Sequence, residues 1–367
     1  MTLLDTVQSS SRDGDVTVMV AGAGRLGTSG IVKALRQTEA FDARVVGVDT
    51  DPDACGFSFV DTAATVSPVN GGDYISDVRG IARREDVDVI LPLMAAELRL
   101  LAEAKSAFEN DGIEVMVSDP RAVSITSDTG ELYDRLAKQV HPSVPEFYRV
   151  TTPEEFIDAV HALGYPHQRV CFKPSIANEM RGFHILDSKI DRSGILTNQK
   201  PNSTVTTLDN VLPILMEIDE FPNLVVMEYL PGEEFTVDAL SRTADTPVVV
   251  SRSHNESCDG HSFTSTVEER PELIERTREI CSFLELEYNV AFQFKYTASG
   301  VPKLLTVDPC LSESIAACVG AGANMPALGV QYALGRELPP VDIDWGTRVA
   351  RDWQEVFYGP DKELRTI

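Results

Sequence analysis

The run from Val16 to Leu35, VTVMVAGAGRLGTSGIVKAL, constrains the fold more than any other segment. An apolar strand meets glycines at 22, 24 and 27, and a helical pattern follows at once. A strand that feeds a helix through a tight glycine turn builds a parallel α/β layer. The continuation agrees. ARVVGVDTDPDA reads as a second strand ending on Asp49 and Asp51. A helix is predicted near Tyr74–Arg84, a strand over 87–93, a helix from Ala95 to about Asn110, and a strand in IEVMVSDP. Strands alternating with helices predict a doubly wound parallel sheet, which Pro120 closes.

Beyond Pro120 the texture changes. RAVSITSDTGELYDRLAKQ reads as helical, and Thr152 stands where an N-cap belongs before PEEF. Strands and longer loops follow in QRVCFKPS, FHILDS, NLVVMEYL, EEFTVDALS and TPVVVSRS. Residues 290–296 and 302–308, around Ala298-Ser299-Gly300, read as a β-hairpin. The expectation is an α/β unit followed by an α+β unit dominated by antiparallel strands.

Charge narrows the partners. Acids outnumber bases by 57 to 32, a net of −25, and only nine of the bases are lysines. The acids are spread along the chain and form no tail. Binding nucleic acid by neutralising phosphates is disfavoured. A surface adapted to high salt fits this balance, because salt screens the self-repulsion; an ordinary acidic cytosolic protein is the plainer alternative. No apolar run reaches the roughly 20 residues of a membrane span, and the first residues lack a signal-peptide pattern, so a cytoplasmic protein is expected. The six cysteines form no CxxC pair and are expected as buried free thiols.

Two constellations carry chemistry. Gly22-x-Gly24-x-x-Gly27 with Asp49 matches the dinucleotide fingerprint, in which glycines admit a pyrophosphate and the acid takes a ribose hydroxyl. Such turns also serve plain strand–helix packing, so an NAD(P)-dependent enzyme is one reading among several. The second constellation lies later. Lys173 ends a buried strand, Glu228 ends another, and Glu234 and Asp238 share a face by the period of two. The hairpin adds Gln293 and Asp308. A lysine, several acids and a glutamine on adjacent strands suit a nucleoside triphosphate with magnesium, although strand-end acids also simply solvate a sheet edge.

In order and spacing, KPS…RGF, MEYLPGEEFTVDAL and FQFK…G.PKLL..DP resemble the ATP-grasp superfamily, closest to its carbamoyl-phosphate-synthase-like branch of carboxylate–amine ligases. The resemblance spans roughly residues 16–358. It implies a flexible leader over 1–15, a Rossmann-like domain over 16–120 and a linker with the small ATP-grasp lobe over 121–225. The large lobe follows over 226–367. It also implies that a carboxylate takes the γ-phosphoryl group of ATP, and that an amine or ammonia displaces phosphate from the acyl phosphate. Magnesium, or manganese, is the implied metal, small-molecule acids and amines are the implied partners, and a homodimer is in keeping with the family. Lys173 matches the phosphate lysine, Glu228 and Leu230 the adenine hinge and Glu234 the ribose acid. Asp238 lies on the same strand as Glu234, and Gln293 and Asp308 fall at metal-side positions. The turn of Gly22, Gly24 and Gly27 then lies on the substrate side.

The chain departs from that pattern at several points. The family's final strand reads E-x-N-P-R, whereas this one reads Thr306-Val307-Asp308-Pro309-Cys310. The phosphate-covering glycines give way to Ala177, Asn178, Glu179 and Met180, leaving Arg181-Gly182. A lysine that relatives carry after the linker aspartate is replaced by Thr129. Impaired catalysis, or a degenerate protein that binds a nucleotide or metabolite or acts as a scaffold, therefore stands beside the ligase reading. Arg181 and Arg252 are the candidate compensating catalytic groups, with His254 and His261 also available.

Overall fold

The computed structural model describes residues 14–139, 141–176, 182–190, 204–258, 261–352, 355–359 and 364–365. The expected leader thus lies outside the described residues except for Gly14 and Asp15. The chain divides into two compact units. The first takes Met1–Val123, Val237–Ala291 and Asp308–Ile367, and the second takes Ser124–Thr236 and Phe292–Val307.

The first unit opens with strand β1 (Asp15–Ala21), helix α1 (Thr28–Gln37), β2 (Asp42–Asp49) and β3 (Thr62–Thr65). Helix α2 (Tyr74–Arg84), β4 (Val89–Pro92), α3 (Ala95–Glu109) and β5 (Glu114–Val115) complete its sheet. The strand order is β3-β2-β1-β4-β5, with every pair parallel. This is the expected Rossmann-like arrangement. Val18, Met19 and Val20 are fully buried, as helices on both faces of a parallel sheet require. β3 was not legible as a strand, because TAAT carries too little apolar pattern.

The turn after β1 requires two of its glycines. Gly27 has φ +93°, and a Cβ there would fall 2.1 Å from the carbonyl oxygen of Glu313. Gly22 has φ +74°, and its Cβ would fall 2.4 Å from Met94 Cγ. Both positions combine a left-handed backbone with a close neighbour.

From Pro120 the chain forms α4 (Pro120–Ser127) and α5 (Thr129–Lys138), two helices where the sequence suggested one. Asp128 is the reason. Its side chain accepts a hydrogen bond from Glu131 N at 3.0 Å as the N-cap of α5, and the hydroxyl of Ser175 donates to the same oxygen. Then come β6 (Phe147–Val150), α6 (Pro153–Ala162), β7 (Val170–Pro174), β8 (His184–Leu186) and β9 (Val205–Thr206). Thr152 caps α6 as expected, accepting from Glu155 N at 3.2 Å. After α7 (Leu208–Glu217), β10 (Leu224–Glu228) pairs antiparallel with β6 and β7 in the sheet β6-β10-β7-β8-β9. Phe156, Phe172, Leu186 and Val226 fill the core of this second unit.

A six-stranded sheet is built from β11 (Glu234–Ser241), β12 (Val248–Cys258), β13 (His261–Val267), β14 (Tyr288–Tyr296), β15 (Pro302–Asp308) and β16 (Arg348–Ala350), ordered β15-β14-β11-β12-β13-β16, and β17 (Phe357–Tyr358) pairs antiparallel with β18 (Leu364–Arg365). The hairpin expected over 290–308 is β14 and β15. Helices α8 (Pro271–Leu284), α9 (Ala316–Gly320) and α10 (Met325–Ala333) were hidden among strands in the sequence. In α8 the buried residues Leu273, Thr277, Ile280, Cys281 and Leu284 make a narrow stripe on a charged helix, which strand-rich surroundings disguise. Residues from both ends of the first unit share one core: Val18, Leu35, Val250, Ile315, Cys318 and Leu328 pack in a single cluster. Among the described residues no helix is long and apolar enough to cross a membrane.

Asp128→Ala is expected to lower stability by about 1–2 kcal/mol through loss of the cap, while Asp128→Asn keeps most of it. Urea unfolding of both variants measures the difference.

Candidate functional site

In the second unit, Lys173 sits next to last on β7, opposite Val225 of β10, with only 9% of its surface exposed. Its Nζ donates to the Leu305 carbonyl at 3.1 Å, which fixes the ammonium against β15. The next residue on that strand, Thr306, has a buried hydroxyl with no hydrogen-bond partner. Glu228 ends β10, and its Oε1 accepts from Glu146 N at 2.9 Å. Leu230 is buried just beyond it. Glu234 opens β11 and pairs with Lys295 at 3.4 Å. Gln293 is half-buried on β14.

Asp238, on the same strand as Glu234, belongs to the first unit, and its partner is Arg252. The pair is enclosed: Arg252 Nε lies 3.1 Å from Asp238 Oδ2, with side-chain exposures of 0% and 2%. Ser312 Oγ accepts from Arg252 Nη2 at 3.1 Å, and the Cys318 thiol donates to Asp238 at 3.4 Å. Arg252 Nη1 and Asp238 Oδ1 have no partner. The structure therefore joins two residues that the sequence assigned to different roles, and it places them in the interior. Arg181, the substituted loop 177–180 and the side chain of His261 lie outside the described residues, while His254 is half-buried on β12.

The first half of the glycine turn spends its donors within the domain. The N–H groups of Gly22 and Ala23 both donate to Val48 O, that of Arg25 to Gly22 O, and that of Gly24 to Asp49 Oδ2 at 2.7 Å. The other oxygen of Asp49 accepts from Asp51 N at 2.9 Å. The first four N–H groups of the turn and the acid at the end of β2 are thus engaged within the domain. Cys55, an exposed thiol, lies 3.7 Å from the Gly24 carbonyl at the rim of the turn.

Arg25, within the fingerprint itself, is the residue that sequence reasoning missed. Its Nη1 donates to the carbonyls of Leu93 and, at 3.2 Å, Leu311, and lies 3.6 Å from Cys310 Sγ. Burial works against its charge, but Cys310, Asp308 and Glu313 outweigh that and raise its pKa. A guanidinium thus stands beside position 310, where the chain itself has a buried cysteine. The only signal was the basic residue between Gly24 and Gly27, which a glycine pattern treats as a blank.

Close by lies Glu97, in the first turn of α3 and 3% exposed. Burial pushes its carboxyl up to about 8; Asp49 adds to this, while Tyr74, the Met94 backbone and Arg25 oppose it. Burial and Glu97 together raise the Tyr74 phenol as well. The two side chains face each other as a loose phenol–carboxyl pair, too far apart or misaligned for Tyr74 Oη and Glu97 Oε2 to satisfy one another. Among the described residues no group of three His, Cys, Asp or Glu gathers to hold a metal.

Residues 220–353 match the family described as ATP-grasp in the biosynthetic pathway with Ter operon, and residues 18–116 match the PylC-like N-terminal domain. The chain carries an ATP-grasp domain behind a PylC-like N-terminal domain. The ATP-grasp fold and its Rossmann-like leading sheet are those expected from the sequence. The chain is 22% identical over 289 residues to the carbamoyl phosphate synthase large chain of Clostridium acetobutylicum, covering 76% of this chain and 25% of that one. It thus spans about a quarter of the length of that relative. Among solved structures, N5-carboxyaminoimidazole synthetase from Staphylococcus aureus, complexed with ADP, superposes with a TM-score of 0.66 at 14% identity, over 90% of this chain and 80% of that one. The biotin carboxylase–βγ-ATP complex from Campylobacter jejuni gives 0.64 at 12% identity, over 89% and 73%.

The raised pKa of Glu97 sets a testable pH dependence. The folded chain holds a proton that the unfolded chain releases near its ordinary value, so stability falls as pH rises from about 5 to about 8 and then levels. Asp49, Tyr74, Arg25 and Cys310 are the charged or titratable groups that bear on it. Glu97→Gln removes this loss. Its stability relative to the parent should climb across that window by an amount on the order of a few kcal/mol. Denaturation at several pH values would show a constant difference instead if Glu97 is ionised at neutral pH.

Proposed function

We propose that this chain binds ATP through its second unit and acts as an ATP-dependent ligase that joins a small-molecule carboxylate to an amine or ammonia through an acyl phosphate. The observation that carries this is the buried ammonium of Lys173, held on Leu305 O beside the unpartnered hydroxyl of Thr306. A desolvated lysine fixed at a strand end is a phosphate contact prepared in advance. On this reading Glu228 and buried Leu230 form the adenine hinge, and Glu234 takes the ribose hydroxyls. Gln293 and Asp308 offer the hard oxygen donors that Mg²⁺ takes, and with a single carboxylate between them they suit a metal bound chiefly through phosphates and water. When bound, such a metal would neutralise phosphate charge. The chain's own residues orient the nucleotide and keep water out. The substrate side belongs to the turn of Gly22, Gly24 and Gly27, and a homodimer is the proposed assembly.

A second reading has its own support. Thr306 leaves its buried hydroxyl orphaned where a bridging carboxylate would serve, and no three-acid cluster forms among the described residues. On that reading the chain binds a nucleotide without turning it over.

ATP with Mg²⁺ or Mn²⁺ should raise the melting temperature, and Lys173→Met should weaken ATP at least tenfold, about 1.4 kcal/mol. No shift with either metal would sink both readings. ADP release that depends on an added carboxylate and amine selects the ligase, and binding without ADP selects the second reading. Thr306→Glu should tighten ATP in the presence of Mg²⁺. Cys310→Arg should instead destabilise the fold by about 3 kcal/mol or more, because it buries a second guanidinium against Arg25. Denaturation of Cys310→Arg alone and combined with Arg25→Met checks this, with partial recovery expected in the double variant.

A further inference from the structure

We propose that Asp49 at the end of β2, Tyr74 at the start of α2 and Glu97 in the first turn of α3 after β4 seat the amine end of the small-molecule substrate. The assignment rests on the ligase reading only for the reaction that the amine enters. The site itself stands on three observations.

The first is topology. In the order β3-β2-β1-β4-β5 the winding reverses between β1 and β4. Open α/β sheets bind ligands beyond the carboxyl ends of their strands at such a reversal. Here the loop after β1 meets the loop after β4. A Cβ on Gly22 would lie 3.3 and 3.4 Å from the two carboxyl oxygens of Glu97.

The second is unused capacity. Glu97 and Tyr74 are 3% and 1% exposed and face each other, and neither Glu97 Oε2 nor Tyr74 Oη reaches good hydrogen-bond geometry with the other or with a third group. Native interiors seldom leave two adjacent polar atoms short of good hydrogen-bond geometry.

The third is sign. The backbone N–H groups of Gly22, Ala23, Gly24 and Arg25, those nearest Glu97 in the turn, are all engaged and so are not offered to an anion there. What remains open is acceptor capacity on a carboxyl, next to a second carboxylate and a phenol, with Arg25 the one cation acting on Glu97. A ligand bringing N–H donors and positive charge fits; a phosphate or carboxylate does not. Met94, partly exposed and packed over Gly22, covers the group. Its unbranched thioether chain can swing aside at low cost.

The full chain, without nucleotide, at about pH 8, is titrated with methylammonium chloride and with tetramethylammonium chloride at matched ionic strength. Both salts carry the charge, and only the first carries N–H donors. Methylammonium alone should raise the melting temperature, and the protonated-carboxyl infrared band should fade as it binds. Glu97→Gln should abolish both effects, Tyr74→Phe should weaken them several-fold, and Met94→Ala should bring them on at lower concentration. Equal shifts with the two salts, or a methylammonium effect that survives in both Glu97→Gln and Tyr74→Phe, overturns the proposal in favour of a site filled by water. Lys173→Met should leave the methylammonium effect intact. ATP binding without that effect removes this inference and spares the ligase reading, and the effect without ATP binding does the reverse.

Discussion

The first unit depends on the close approach of Gly27 to the carbonyl of Glu313. No side chain is tolerated between them, since a Cβ would fall 2.1 Å from that oxygen. This contact ties the opening turn of the chain to a segment nearly three hundred residues later. It delivers Arg25 to Cys310 and sets α1 against α9 and α10 in one core. Apolar burial supplies most of the stabilisation there, but the turn fixes which surfaces meet. The discontinuous first unit is the structural result.

Charge is handled differently inside and outside. A chain with a net charge of −25 still encloses an ion pair, Arg252 with Asp238, and leaves one atom of each without a partner. Enclosed pairs contribute little net stability relative to apolar packing, yet losing either member strands a charge and costs about 3–5 kcal/mol. Arg252 and Asp238 therefore constrain each other's replacement.

The parallel sheet was legible because its strands are apolar on both faces and its helices punctuate them regularly. The hairpin was legible from Ala298-Ser299-Gly300, and the N-cap of α6 from Thr152 followed by proline. Local chemistry sufficed in each case. At Asp128 the local cap on Glu131 N was within reach of the sequence, but the Ser175 hydroxyl that holds the same oxygen, 47 residues away, was not. Helix α8 hid behind a thin buried stripe. At the site, Lys173 and Glu234 could be proposed from strand ends, but the pairing of Asp238 with Arg252 crosses two strands, and the placement of Arg25 crosses nearly the whole chain. Residue types announce capacity; only the fold decides which capacities are already used.

Cys55 gives the glycine turn a practical property. Of the five cysteines whose side chains are described it alone is exposed, while Cys171, Cys281, Cys310 and Cys318 are buried. Its sulfur rests at the carbonyl of Gly24, one residue from Arg25 and on the rim of the loop that Asp49 holds. Among these five, thiol chemistry on the native chain is directed to Cys55. A fluorophore or spin label placed there would report from the rim of the turn without disturbing the buried sulfurs, so the fold provides its own attachment point for watching that loop.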